Sequence, residues 1–121
     1  MKRGMGFFHV EHAGNTLIVL PQGDTLGILE AHLKDEIAAL YRLLDDPAVV
    51  NLVVDFGTAP YFGSIVIGAI LGLCKRASDA GGRAVLCNAS EAMYEAIKTM
   101  KLEMVYPYFP TRPQALEAVN K

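Results

Sequence analysis

Residues 49–88 read VVNLVVDFGTAPYFGSIVIGAILGLCKRASDAGGRAVLCN, and this stretch decides the fold. Val49 to Phe56 is a short β-branched run bounded by turn residues, the pattern of a strand buried on both faces. The apolar spacing that follows predicts a helix from about Ser64 to Ser78, closed by Gly81-Gly82. Arg83 to Asn88 reads as a second buried strand. Val50–Asp55 and Arg83–Asn88 are therefore expected as adjacent parallel strands of one sheet.

Upstream, Phe7 to Glu11 and Thr16 to Leu20 read as two strands joined at Gly14-Asn15, an antiparallel hairpin. Leu26, Leu29, Leu33, Ile37, Leu40 and Leu44 recur at spacings of three and four, the apolar stripe of an amphipathic helix. Pro47 disfavours helical geometry at the residue before it and ends that helix. Downstream, Ser90 opens a helix that carries Glu91 in its first turn and continues to Met100. LEMVYPYF (102–109) can hold a last short strand. Thr111 caps a final helix with Pro113 near its start. Hairpin, helix, then strand and helix in alternation specify an α/β fold. The sheet is expected to be mixed and mostly parallel, with an antiparallel N-terminal edge and about four helices.

Ser64 stands at the head of the most apolar helix. A serine there serves as an N-cap, accepting a hydrogen bond from an otherwise orphaned amide. Gly68 and Gly72, four residues apart, offer a flat strip for close packing. Ile65, Val66, Ile67, Ala69, Ile70, Leu71, Leu73 and Cys74 surround the first turns. A helix apolar all round is either buried or docks a partner. The expectation is that Ile65, Val66 and Ala69 face solvent beside Ser64, while Ile67, Ile70, Leu71 and Cys74 face inward.

The composition narrows the function classes. With 121 residues, 52% of them hydrophobic and 20% charged, the chain can bury a core as one domain spanning 1–121. The net charge of −2 and the lack of a Lys/Arg cluster argue against nucleic acid as a partner. The run from Ile65 to Cys74 is too short to span a membrane, and the N-terminus has no signal-peptide core, so a cytoplasmic location is expected. Cys74 and Cys87 read as buried, reduced thiols. His9, His12 and His32 lack companions at metal-ligand spacing, so no metal site or cofactor is expected. There is no phosphate-binding loop and no GxGxxG. FGSIV lacks the second glycine of a nucleophile elbow, so no catalytic constellation emerges. Tyr106, Tyr108 and Phe109, with Pro107 and Pro110, are expected to lock the C-terminal loop over the core.

A strand ending in VVDFG, then YFGSIVIGAILGLCKRA, a Gly-Gly turn and RAVLCNAS together resemble the STAS domain, the family of sulfate transporters and anti-sigma-factor antagonists. MKLEMVYPYFPTRPQALEAV matches that family's hydrophobic C-terminal segment. VLPQGDT matches its acidic loop, with Asp24 as the acidic residue. The resemblance covers nearly the whole chain. It implies a non-enzymatic regulator that binds an anti-sigma factor which is also a serine kinase. The kinase phosphorylates the serine matching Ser64, the complex separates, and a phosphatase resets the switch. The implied partner surface is Asp24, Tyr61, Phe62, Gly63, Ser64, Ile65, Val66 and Ala69, which could also meet a second copy of the chain. The chain departs from the family motif at Gly63, where an aspartate is usual, at Ile65, where a second hydroxyl stands, and at Val66, where a glycine stands. The alternative reading is a STAS-like module that binds a nucleotide or lipid around Asp24, Gly57 to Ser64 and Asn88, or a constitutive scaffold without phosphorylation.

Overall fold

The computed structural model describes residues 3–5, 7–22, 30–57 and 64–121, with side chains from 7–22, 33–57 and 66–121. Among the described residues, six strands form one sheet: β1 (Arg3–Met5), β2 (Phe8–Ala13), β3 (Thr16–Pro21), β4 (Asn51–Asp55), β5 (Ala84–Cys87) and β6 (Tyr108–Phe109). They lie side by side in chain order. β1, β2 and β3 pair antiparallel, and β3 through β6 pair parallel. The helices are α1 (Glu30–Leu44), α2 (Ser64–Asp79), α3 (Glu91–Thr99) and α4 (Arg112–Val119), with a 3₁₀ turn at Leu102–Met104.

This is the expected mixed α/β sheet. The hairpin turns at Gly14, whose φ of +60° suits a residue without Cβ, and Ala13 pairs with Thr16 across it. β4 and β5 are adjacent and parallel, with Val53 opposite Val85. β1 is an addition: Arg-Gly-Met has neither β-branched residues nor alternation to announce a strand, and it pairs only along β2.

The period-2 alternation of strands sorts the core into two layers. Leu17, Val19, Leu52, Val54, Ala84 and Leu86 pack beneath α1, α2 and α3. Ile18, Leu20, Val53, Val85 and Cys87 face the other way and pack with Ala115 and Val119 of α4. The parallel strands step across the sheet in one direction, and the helices between them lie on one face, as connections of a common hand require. α4 follows the last strand and covers the opposite face. Two glycines permit close approaches. A Cβ at Gly72 would meet the Tyr41 hydroxyl of α1, and one at Gly82 would meet the Val50 carbonyl. Gly68, the other half of the spaced pair, has open space around it.

Tyr106 and Tyr108 pack against the three-helix layer and Phe109 against the α4 layer, which locks the C-terminal segment as expected. Cys74 belongs to the first layer and Cys87 to the second, so the sheet itself separates the two free thiols. Burial pushes both up to about 12; at Cys87 the Asp55 charge adds to this and Arg112 opposes it. At pH 8 the thiolate is then about a thousandfold scarcer than for a thiol of pKa 9. Alkylation of the native protein should therefore be at least about a hundredfold slower than in urea for both cysteines. Rapid native labelling of either would contradict this placement.

Candidate functional site

The carboxyl ends of the parallel strands and the N-termini of the helices that follow them converge on one edge of the sheet. β4 reaches this edge at Asp55, whose side chain is 2% exposed. An ionised carboxylate so buried needs donors or a counter-charge. Asp55 has both. Its Oδ1 accepts the Gly57 amide at 2.8 Å and the Asn88 side-chain amide at 3.1 Å. Its Oδ2 accepts Arg112 Nε at 2.7 Å. Arg112 Nη1 in turn donates to Glu11 Oε1 at 3.0 Å, and His9 Nε2 lies 3.4 Å from Glu11 Oε2.

Each position follows from local chemistry. Asn88 follows β5 with φ at +62°, a conformation that asparagine tolerates better than most residues. Its amide N–H donates to the Phe109 carbonyl, which joins it to β6. At Gly57 a Cβ would meet the Asn88 side chain, so the chain passes close to the Asp55–Asn88 pair only because nothing larger stands there. Ser90 caps α3 by accepting the Met93 amide at 3.1 Å. Thr111 and Gln114 form a reciprocal capping box that sets Arg112 as the first residue of α4. The Tyr108 hydroxyl accepts the Ala89 amide at 2.9 Å, and burial raises its pKa against that bond. Burial alone would lower the Arg112 guanidinium. The hydrogen bonds and charges of Asp55 and Glu11 outweigh it, leaving Arg112 above the ordinary arginine value. Removing one partner of a buried ion pair costs about 3–5 kcal/mol. Arg112 keeps 28% of its side-chain surface, so its loss belongs at the lower end.

α4 is held at both ends by β4. Arg112 at its start bonds Asp55, and the Val119 carbonyl at its end accepts Asn51 Nδ2 at 3.2 Å. Asn51 Oδ1 also accepts the Arg83 amide at 2.9 Å, and Arg83 Nη1 reaches the Ala118 carbonyl at 2.9 Å.

Ser64 is the first residue of α2, on the same edge, and Ile65 follows in the first turn. Asp24, Tyr61, Phe62 and Gly63 lie outside the described residues, as do the side chains of Ser64, Ile65 and His32. Val66 corrects the expected partner face: it is 2% exposed and part of the core. The buried stripe of α2 is Val66, Ile67, Ile70, Leu73, Cys74 and Ala77, which is a broad helical face seated on the sheet. The outward side is Gly68 and Lys75, with Ala69, Leu71 and Gly72 half-buried. Leu71, expected inward, packs at the margin of the core. The helix is apolar all round in sequence because its outer positions are partly glycine and alanine.

Asp55, Arg112 and Glu11 were not among the candidate site residues. Arg112 stands 57 residues from Asp55 and 101 from Glu11, so no local motif joins them. The available signal was a lone aspartate closing a strand buried on both faces, which demands a compensating partner. Among the described residues, no group of three or more His, Cys, Asp or Glu is placed to hold a metal ion, and no helix is long and apolar enough to cross a membrane. A groove of about 400 Å3 lies at the opposite, amino edge, between Gly82, Arg83, Val105 and Pro107, away from Gly57 and Asn88.

The family model of the STAS domain matches residues 8–115, and the chain belongs to that family. No curated protein sequence matches it significantly. Solved structures share the fold at low identity. An anti-sigma-factor antagonist (STAS) domain protein of Planctomyces limnophilus is 18% identical, with TM-score 0.76 over 94% of this chain and 98% of that one. An anti-sigma factor antagonist of Mycobacterium paratuberculosis is 20% identical, with TM-score 0.76 over the whole of both chains. The antagonist SpoIIAA of Bacillus, unphosphorylated, is 18% identical, with TM-score 0.74 over 93% of this chain and 96% of that one. Its phosphorylated form gives TM-score 0.69 at 19% identity, over 93% and 98%.

Two substitutions check this geometry. Val66→Asp should unfold or severely destabilise the domain, by at least about 3 kcal/mol in urea titration, because it buries an unpaired charge. Retention of the parent melting temperature would return Val66 to the surface. Asn88→Ala loses both the bond to Asp55 and the tolerance of positive φ, a cost of about 1–3 kcal/mol. Asn88→Gly keeps the backbone freedom and should be the milder change.

Proposed function

We propose that this STAS domain is a non-enzymatic partner-switching regulator of the anti-sigma-factor antagonist type, with Ser64 as its phosphoacceptor. Its partner is an anti-sigma factor that is also a serine kinase, and a phosphatase reverses the modification. The observation that carries this reading is the position of Ser64. It opens α2 at the carboxyl edge of the sheet, a few residues past the Asp55 anchor, in a chain matched by the STAS model from 8 to 115. The existence of SpoIIAA in phosphorylated and unphosphorylated forms of the same fold supports it.

Phosphate adds about −1.5 to −2 charges. A helix N-terminus accommodates an anion, so modification is compatible with an intact fold. The same charge at the rim of a contact surface resists desolvation against a partner. Docking is assigned to Asp24, Tyr61, Phe62, Gly63, Ser64, Ile65 and Ala69, with Val66 supporting them from the core. Gly63 in place of the family aspartate leaves recognition of the serine to the surrounding surface.

Incubation with the cognate kinase and ATP should place one phosphate on the peptide that contains Ser64, read by mass spectrometry, and none on Ser64→Ala. Ser64→Asp should weaken the complex by at least about tenfold, or 1.4 kcal/mol. Ser64→Ala should bind like the parent and cost no more than about 1 kcal/mol of stability, since Ser64 is the first residue inside α2 and alanine is a good helix former. An unmodified Ser64, together with parent-like binding by Ser64→Asp, would leave a constitutive scaffold or a ligand module. A thermal shift with nucleotides and lipid vesicles then separates those two.

A further inference from the structure

The amino edge of the sheet gathers the apolar side chains that the core leaves out. Among the described residues, the exposed large hydrophobics are Val50, Met100, Met104 and Val105, the last two at 77% and 67%. Val50 stands just before β4, and the other three lie where α3 has run back along the sheet and its 3₁₀ turn follows. The groove of about 400 Å3 opens beside Val105. Its origin is local. β5 and β6 pair from Leu86 and Tyr108 onward, and the Leu86 amide donates to the Pro107 carbonyl at 2.9 Å. Two residues earlier on β5, Ala84 faces the same side. The N–H that its carbonyl would take in the ladder belongs to residue 107, and proline has none. The ladder stops there, and between the two chain segments lies a cleft walled by Val85, Val105, Tyr106 and Phe109, with Ala118 of α4 on its far side.

Arg83 supplies a charge to this cleft. Its Nη1 donates to the Ala118 carbonyl at 2.9 Å, which holds the guanidinium against the α4 side of the lining. Nε and Nη2 remain, and that edge of the planar fork receives a carboxylate side-on. Arg76 and Arg112 are paired with carboxylates, but among the described residues no carboxylate pairs with Arg83. Asp79 and Glu117, next in sequence to the lining residues Ser78 and Ala118, are each engaged by a lysine, Lys75 and Lys121. The cleft volume falls at the low end of the range of about 300–1,000 Å3 usual for small-molecule sites. One guanidinium balances one negative charge, which favours a carboxylate over a phosphate dianion. We propose that this cleft binds a small apolar monocarboxylate, with the carboxylate on Arg83 and the hydrocarbon body against Val85, Val105 and Phe109. The site lies at the opposite edge of the sheet from Ser64, and the inference is independent of the reading of that serine.

Titration of the full chain with sodium octanoate, followed through the amide chemical shifts, tests the site. The amides of Val85, Val105 and Ala118 should shift saturably, with a Kd below about 1 mM. Octanol, which has the same chain and no charge, should bind at least about tenfold more weakly. Arg83→Gln should abolish that difference between octanoate and octanol. Val105→Asp changes an exposed residue, so it should keep the parent melting temperature while weakening octanoate at least about tenfold by like-charge repulsion. Equal affinity of the parent for octanoate and octanol overturns the proposal, as do shifts confined to Met100 and Met104. If the same amides shift on raising the protein concentration alone, and sedimentation shows a dimer, a second copy fills the cleft and the proposal falls. Should Arg83→Gln fail to fold, Val105→Asp decides: unchanged octanoate affinity overturns the site.

Discussion

β4 is buried from end to end, and the rest of the structure answers that constraint. Leu52 and Val54 require helices above the sheet, and Val53 requires one below. Its two polar ends, Asn51 and Asp55, cannot be buried bare. α4 supplies one partner to each, the carbonyl of Val119 to Asn51 and Arg112 to Asp55. α4 is a short helix that would be marginal alone. Anchored at both termini and packed through Ala115 and Val119, it completes a layer that one short helix could not otherwise hold.

The same constraint locates the polar edge of the sheet. Because the strand core is dry, polar chemistry collects where β4 and β5 end. There Asp55 meets Gly57, Asn88 and the start of α4.

α2 shows how a helix can be apolar in sequence and ordinary in structure. Its buried stripe is wide because it sits on the sheet and beside α1, whose Tyr41 hydroxyl occupies the space above Gly72. Arg76 extends over the Tyr41 ring at 5.6 Å and pairs with Asp45, which closes the rim between the two helices. Small residues on the outside reduce the exposed apolar area while keeping the helix thin enough to pack closely.

The sequence by itself determined the elements from β2 onward and their order, though not β1. The β-branched runs, the periodicity of α1, the caps at Ser90 and Thr111 and the turn at Gly14 are properties of neighbouring residues, and each stands where its neighbours put it. The family blocks carried the sheet topology with them and pointed to Ser64. Tertiary structure alone decided the facing of Val66, because a helix apolar on every side has no period to choose between its faces. It also decided the pairing of Asp55 with Arg112 and Glu11. Charges 57 and 101 residues apart meet only because the chain crosses the sheet between them. Burial then makes the pairing obligatory, since a carboxylate removed from water must find its cation wherever the fold brings one.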